Sequence, residues 1–118
     1  MKIYRFDSEV GREIENFGSV NFILSAVAHL KLEARVRCAH LGENGLIGYH
    51  QAVTPQLFLV VQGQGWVRVE TSDHISIATG HAIFWDKGEW HESGTSTGLV
   101  AIIIESELLN PAEFMPVK

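Results

Sequence analysis

Two histidines, His50 and His91, are the residues of this chain whose type and position best suit chemistry. Each lies near a glycine-bounded turn: His50 precedes the segment Gly63-Gln64-Gly65, and His91 follows Gly88. An imidazole titrates near neutral pH, so either ring could serve as a general base. This repeated arrangement is the main functional signal of the sequence.

The element expected to position His50 is a hairpin over residues 48–69. Residues 57–61 are continuously apolar, which suits a strand buried on both faces. Gly63-Gln64-Gly65 predicts a tight turn, because glycine readily takes the positive φ that a short turn requires. Beyond this turn apolar and polar side chains alternate, which is typical of a returning, half-buried strand.

A second hairpin is expected to join residues 31–41 to the segment that holds His50. In residues 31–41 the side chains alternate, which indicates a strand with one dry face, formed by Leu32, Ala34, Val36, Cys38 and His40. A three-residue loop with a left-handed Gly45 would set His50 opposite Cys38, on the dry side. A two-residue loop would set it opposite Arg37, facing water. The apolar pattern favours the first register and predicts a buried Cys38.

The rest of the chain consists mainly of short predicted strands, at residues 2–6, 22–30, 75–77, 82–85 and 99–104. Helix is expected only as a short helix or a single turn over residues 9–16 and as a short tail over residues 106–114, broken by Pro111. Several short strands with almost no helix predict an all-β sandwich or barrel.

Two stretches resemble the two sequence motifs of the cupin superfamily, whose members are double-stranded β-helix (jelly-roll) barrels. In the first stretch, about residues 48–63, His50 takes the place of the first motif histidine and Ala52 that of the second. Gln56 stands at the place of the motif glutamate, and Gly63 closes the motif. The histidine and the glycine are therefore kept, while two ligand positions have changed.

The second stretch, about residues 80–95, matches the other cupin motif in its spacing. Its matching residues are Gly80, Gly88 and His91, while Asp86 stands for the motif proline and Thr95 for the motif asparagine. The resemblance implies a single cupin domain over residues 1–118, with an all-β jelly-roll barrel as its fold.

Cupin metals are usually held by three histidines and a glutamate, and the resemblance transfers this role to His50, Gln56 and His91. Ala52 has no donor atom, and Gln56 offers a neutral carbonyl oxygen, which is a weaker ligand than a carboxylate. His40 and Glu92 are weaker candidates outside the family pattern. The implied cofactor is either one divalent ion, such as zinc, nickel, manganese or iron, or none.

The resemblance also implies a small-molecule pocket, with His50, Gln56 and His91 as polar groups and Phe58 and Trp85 or Trp90 as walls. Two functions stay open. One is a metal-dependent enzyme of the oxygenase or isomerase type, and the other is a ligand-binding or sensing cupin without metal or turnover. Small cupins commonly form homodimers, so we expect a homodimer in which residues 2–6 could join a neighbour's sheet.

Composition narrows the class of partner. The chain has 118 residues, a net charge of −5 and one cysteine, which fits one domain without an internal disulfide. No lysine- or arginine-rich stretch supplies the electrostatic footprint of a nucleic-acid or membrane partner. The first residues lack an apolar signal-peptide core, so we expect a cytoplasmic protein.

Overall fold

A computed structural model describes residues 1–70 and 72–118, which form ten strands and three short 3₁₀ helices. The strands are β1 (Lys2–Arg5), β2 (Arg12–Glu13), β3 (Ile23–Leu24), β4 (Ala34–Leu41), β5 (Leu46–Gln51), β6 (Gln56–Val69), β7 (Ile75–Ala78), β8 (His81–Trp85), β9 (Trp90–Gly94) and β10 (Leu99–Ser106). The helices are Ser8–Val10, Asn16–Gly18 and Pro111–Glu113. The predicted all-β class is confirmed. Within these residues no helix has the length and apolar character needed to span a membrane.

Two antiparallel sheets share the long strand β6. The first sheet has the strand order β1-β8-β6-β10-β4. The second sheet is formed by the distal half of β6 with β7 on one side and β9 on the other, and β5 pairs with β9. Strands β2 and β3 form a separate two-stranded ribbon.

The main core lies between the two sheets, because side chains from both meet there. The first sheet contributes Phe58, Val60 and Ile83, and the second contributes Val67 and Ile77. A second apolar cluster, which includes Leu57, Leu59 and Met115, covers the outer face of the first sheet. Residues 57–60 are therefore buried on both faces, as their continuous apolar run predicts.

The predicted hairpin at Gly63-Gln64-Gly65 was wrong, because β6 runs through these residues without reversing. Gly63 does take a positive φ, of 83°, but it bends the strand where β6 leaves the first sheet and enters the second. A β-bulge in the pairing with β10, between Val100 and Ala101, lies at the same corner. The glycines therefore mark a change of sheet rather than a turn.

The second predicted hairpin was also wrong in its pairing. β4 pairs with β10, and β5 pairs with β9, so Cys38 and His50 are not cross-strand neighbours. The turn between them exists, with the Gly45 N–H donating to the Gly42 carbonyl over 2.9 Å. It connects strands of different sheets, and its left-handed residue is Asn44, with a φ of 58°, rather than Gly45.

The face of β4 that alternation predicts to be dry lies on the outside of the first sheet and is mostly exposed. Cys38 is exposed rather than buried, and Val36 has 60% of its surface accessible. The pattern identified an apolar face correctly. It could not show that this face points away from the barrel interior.

The terminal segments contain less regular structure than the sequence predicts. Only Ile23–Leu24 forms a strand in the predicted range 22–30. Of the two alternatives for residues 9–16, a short helix or a single turn, the structure has a single 3₁₀ turn, at Ser8–Val10, which ends before Gly11. The predicted helical tail is reduced to one turn at Pro111–Glu113, since β10 continues to Ser106.

Candidate functional site

A small cavity of about 50 Å³ lies between the two sheets. It brings together five side chains that the sequence predicts for a pocket, namely His50, Gln56, Phe58, Trp85 and His91. Its other lining residues are Ile47, Ser93 and Ile103. His50 is exposed, whereas His91 is buried, so the cavity runs from the core toward solvent at the His50 end.

Two cross-strand pairs, one in each sheet, build the polar part of this cavity. His50 on β5 lies directly opposite His91 on β9, and their ring centroids are 4.5 Å apart. Gln56 on β6 lies directly opposite Trp85 on β8. An irregularity in the β5–β9 register, between Ile47 and His50, re-aims the end of β5.

The hydrogen bonds of both histidines indicate which ring nitrogen carries the proton. His50 Nδ1 lies 2.6 Å from the Gly48 carbonyl oxygen, and His91 Nδ1 lies 3.2 Å from the Glu89 carbonyl oxygen. A carbonyl oxygen only accepts, so Nδ1 is the protonated nitrogen of each neutral ring. In the neutral form of each ring, Nε2 therefore keeps its lone pair for a ligand.

His91 is held neutral by its surroundings. Burial lowers the pKa of its imidazole, and the neighbouring His50 lowers the pKa further. The hydrogen bond to the Glu89 carbonyl raises the pKa and is the second-largest influence after burial, ahead of His50, and the Glu89 carboxylate raises it least. The buried ring is thus uncharged at neutral pH.

Trp85 supplies a polar atom without a protein partner. Its indole stacks on His91 with centroids 4.0 Å apart and meets Phe58 edge-on at 5.6 Å. Over residues 1–70 and 72–118, Trp85 Nε1 is the buried side-chain nitrogen or oxygen that lacks a hydrogen-bond partner. A buried N–H without an acceptor is costly, which indicates that the site is shaped for one.

The two weaker candidates for the site lie elsewhere, and their predicted placement is corrected. His40 is exposed on the outer face of β4. Glu92 lies on the opposite face of β9 from His91, and its carboxylate accepts from Arg68 Nε over 2.8 Å. Trp90, the alternative wall residue, is exposed and stacks on Tyr49.

One polar residue of the cavity was missed by the sequence reasoning. Ser93 lines the cavity and is 2% exposed. It stands two positions after His91 on the same strand, so the period of two would have placed both on one face.

A larger open groove of about 800 Å³ lies apart from these residues, against Trp66, His74 and His81. Its aromatic side chains already contact other groups of the chain. His74 lies flat on Trp66, with centroids 3.7 Å apart, and His81 Nδ1 accepts the Ala78 N–H over 2.9 Å. The small cavity is the better candidate because both histidines whose Nε2 atoms make no hydrogen bond, and Trp85 with its unpaired indole N–H, line it.

The donor set of the small cavity does not fit a resident divalent cation. In the part of the chain that the structure describes, no three His, Cys, Asp or Glu side chains are placed to hold a metal ion. Two imidazoles and the neutral amide of Gln56 equal the three protein ligands of a catalytic metal site in number, but the amide oxygen is a weaker donor than a third imidazole or a carboxylate. The unpaired N–H of Trp85 needs a hydrogen-bond acceptor, and a metal cation cannot accept a hydrogen bond.

No protein-family model and no curated protein matches this chain. Solved structures do. A cupin superfamily protein from Desulfitobacterium hafniense matches with a TM-score of 0.58 and 12% identity, covering 72% of this chain and 77% of that one. An RmlC-like cupin from Shewanella frigidimarina matches with a TM-score of 0.59 and 20% identity, covering 64% and 68%.

A third similar structure is described as a predicted oxalate decarboxylase, from Thermotoga maritima. Its TM-score is 0.53 at 22% identity, and the match covers 60% of this chain and 64% of that one. At such identities the likeness concerns the fold of the barrel and not its ligand.

Proposed function

We propose, on the premise that this chain has the cupin fold, that it binds a small neutral molecule through a hydroxyl or primary amide group. The cavity between the sheets is the proposed site. The observation that supports this most is the combination of two imidazole Nε2 acceptors with the unpaired Nε1–H of Trp85 around one cavity.

The chemical class of the ligand follows from matching donors with acceptors. A hydroxyl or a primary amide can donate to His50 or His91 and accept from Trp85 or from the Gln56 amide. A carboxylate can only accept, so it would leave the Nε2 lone pairs unmatched. A neutral group with both functions therefore satisfies this set better than an anion.

The size of the cavity limits how much of the ligand enters. Since one water molecule occupies about 30 Å³ of the liquid, a volume of about 50 Å³ admits only a terminal group. The rest of the ligand would extend along the exposed side of His50 toward solvent. The proposed activity is binding, and this set of side chains contains no orienting carboxylate that would point to a particular reaction.

We expect small polyols and primary amides to raise the melting temperature of the protein, and the matched carboxylates to raise it less. A thermal-shift series with ethylene glycol, acetamide and acetate at millimolar concentrations measures this, because a ligand that binds only the folded state stabilises it. The stabilisation should vanish in His50→Ala, whose exposed side chain can be removed without opening the core.

His40→Ala is the matched control, because His40 is an exposed histidine outside the cavity, and it should keep the full shift. Stabilisation by acetate alone would contradict the proposed ligand class. An unchanged shift in His50→Ala would contradict the proposed site.

The metal-dependent alternative has one observation in its favour, the free Nε2 atoms of two neighbouring imidazoles. We nevertheless expect metal content well below one ion per chain when tag-free protein is dialysed against zinc, nickel, manganese and ferrous iron, and then analysed by inductively coupled plasma mass spectrometry. Near-stoichiometric metal that both His50→Ala and His91→Ala lose, and His40→Ala keeps, would establish the metal site instead. An oxygenase or isomerase would then be the function to test.

A further inference from the structure

The open groove of about 800 Å³ on the second sheet shares no lining residue with the small cavity. Its volume lies within the range of small-molecule sites, about 300–1,000 Å³. β6 and β7 supply the largest part of its wall, and the start of β8, the turns at residues 44–45 and 95–96 and the side chain of Lys118 complete it. A ligand in this groove would therefore be recognised independently of the function proposed above.

An aromatic surface forms one part of this groove. The indole of Trp66 packs on the backbone of β9 at Gly94, where a Cβ atom would overlap it. The imidazole of His74 lies parallel to this indole, with ring centroids 3.7 Å apart and an angle of 1° between the planes. His74 is exposed and lines the groove, so the stacked pair offers a flat surface on which a planar ring can pack.

Two hydrogen-bond donors lie close together in the same groove. His81 Nδ1 accepts the N–H of Ala78 over 2.9 Å, so the neutral imidazole carries its proton on Nε2. Lys118 Nζ donates to the Ser76 carbonyl oxygen over 3.4 Å, which uses one of its three N–H groups. Burial and, second, the positive charge of Lys118 lower the pKa of His81, and this influence shows that the ammonium lies near the imidazole.

The charge of the groove is opposite to that of the chain. The whole chain carries a net charge of −5, yet none of the described residues that line the groove is acidic. Glu43 and Asp73, each next to a lining residue in the sequence, do not belong to its wall. Asp7 also acts on His81, but its carboxylate is paired with Arg5 Nε over 2.9 Å. The lysine of the wall therefore gives the groove a positive charge, which favours an anion.

We propose that this groove is a second binding site, and that its ligand is a small aromatic anion. The carboxylate or phosphate oxygens accept from Lys118 and His81, and the ring packs on the stacked pair of Trp66 and His74. Both parts lie within reach of one small molecule, because Lys118 bonds to Ser76, which is the direct cross-strand partner of Trp66. The ring is needed as well as the charge, since an exposed ion pair alone contributes little.

Isothermal titration calorimetry of the full chain tests the ligand class with benzoate, phenyl phosphate, acetate, inorganic phosphate and benzyl alcohol. Benzoate or phenyl phosphate should bind about tenfold or more tightly than the other three, which lack either the ring or the charge. The tighter of these two identifies the oxyanion as a carboxylate or a phosphate. Equal affinity for the matching ring-free anion would overturn the aromatic part of the proposal, and equal affinity for benzyl alcohol would overturn the anionic part.

Lys118→Gln removes the charge and should raise the Kd of the tighter aromatic probe about tenfold. Lys31→Gln is the matched control, because Lys31 is an exposed lysine outside the groove, and its Kd should match wild type. Ethylene glycol should stabilise Lys118→Gln as much as wild type, since Lys118 does not line the small cavity. An unchanged Kd in Lys118→Gln would overturn the groove site and leave the proposed function standing.

The imidazole of His81 provides an independent readout of the site. A bound anion favours the imidazolium form, so a saturating aromatic probe should raise the pKa of His81, measured from its ring proton resonances by NMR, while that of His91 should not respond. A rise at His91 in place of His81 would put the anion in the small cavity and overturn the groove assignment. No rise at either histidine would overturn the predicted contact with His81.

Discussion

Gly63→Ala is expected to lower the free energy of unfolding by about 3 kcal/mol. Two costs add up to this loss: alanine is strained in a left-handed backbone conformation, and its Cβ would overlap neighbouring backbone atoms. Gly63 has a φ of 83°, where a side chain is strained. A Cβ at this position would overlap the Gly98 carbonyl oxygen and lie 3.1 Å from Leu99 Cα. Both are backbone atoms of the neighbouring strand segment, which cannot turn aside as a flexible side chain can.

Chemical denaturation monitored by circular dichroism measures this loss, and Gly42→Ala is the matched control. Gly42 has no atom within 4 Å of an added Cβ and no positive φ, so its replacement should change the free energy of unfolding by less than about 0.5 kcal/mol. A Gly63→Ala protein as stable as this control would show that β6 does not pass so close to Gly98.

The positive φ of Gly63 was predictable from the sequence, but the direction of the chain after this residue was not. A glycine pair between apolar segments indicates a positive φ, and the structure has one. Whether the chain then reverses or continues depends on where the partner strands lie. Here β10 and β7 approach from distant parts of the chain and pair with the two halves of β6, which local turn chemistry does not record.

His50 lines the predicted cavity, although its predicted strand partner and its predicted burial were both wrong. It faces His91 rather than Cys38, and its side chain is exposed. Ile47 lines the same cavity, and alternation alone would not place both residues there, because the register shifts between them. The same alternation was misleading on β4. There it identified an apolar face correctly, but the prediction that this face points into the barrel interior was wrong.

The site was predicted from motif spacing, and its chemistry was not. The spacing selected His50, Gln56 and His91, which the structure places around one cavity. The proton positions on the rings depend on carbonyl groups of Gly48 and Glu89. These contacts arise from the local path of the backbone, so no residue pattern could have revealed them.

Trp85→Ala is expected to lower the free energy of unfolding by about 3–5 kcal/mol, because it leaves a cavity in the core. Trp85→Phe should cost far less, about 1 kcal/mol or below, since losing the unpaired Nε1–H offsets part of the lost packing. The phenyl ring can keep the contacts with His91 and Phe58. Equilibrium unfolding of both variants measures these losses. Because both variants lack the N–H, the difference between them reports the packing of the ring, and a Trp85→Phe loss well above about 1 kcal/mol would show that removing the unpaired N–H recovers little stability.

The phenylalanine variant also separates stability from ligand binding. If Trp85 Nε1–H donates to the ligand, Trp85→Phe should raise the Kd for the best polyol or amide about tenfold, equivalent to about 1.4 kcal/mol. Trp66→Phe is the control, because Trp66 stacks on His74 away from the small cavity, and its Kd should match wild type. Loss of a hydrogen-bond donor must lower the affinity for any ligand that accepts from it. Unchanged affinity in Trp85→Phe would therefore show that the indole does not contact the ligand, and recognition would be left to His50, Gln56 and His91.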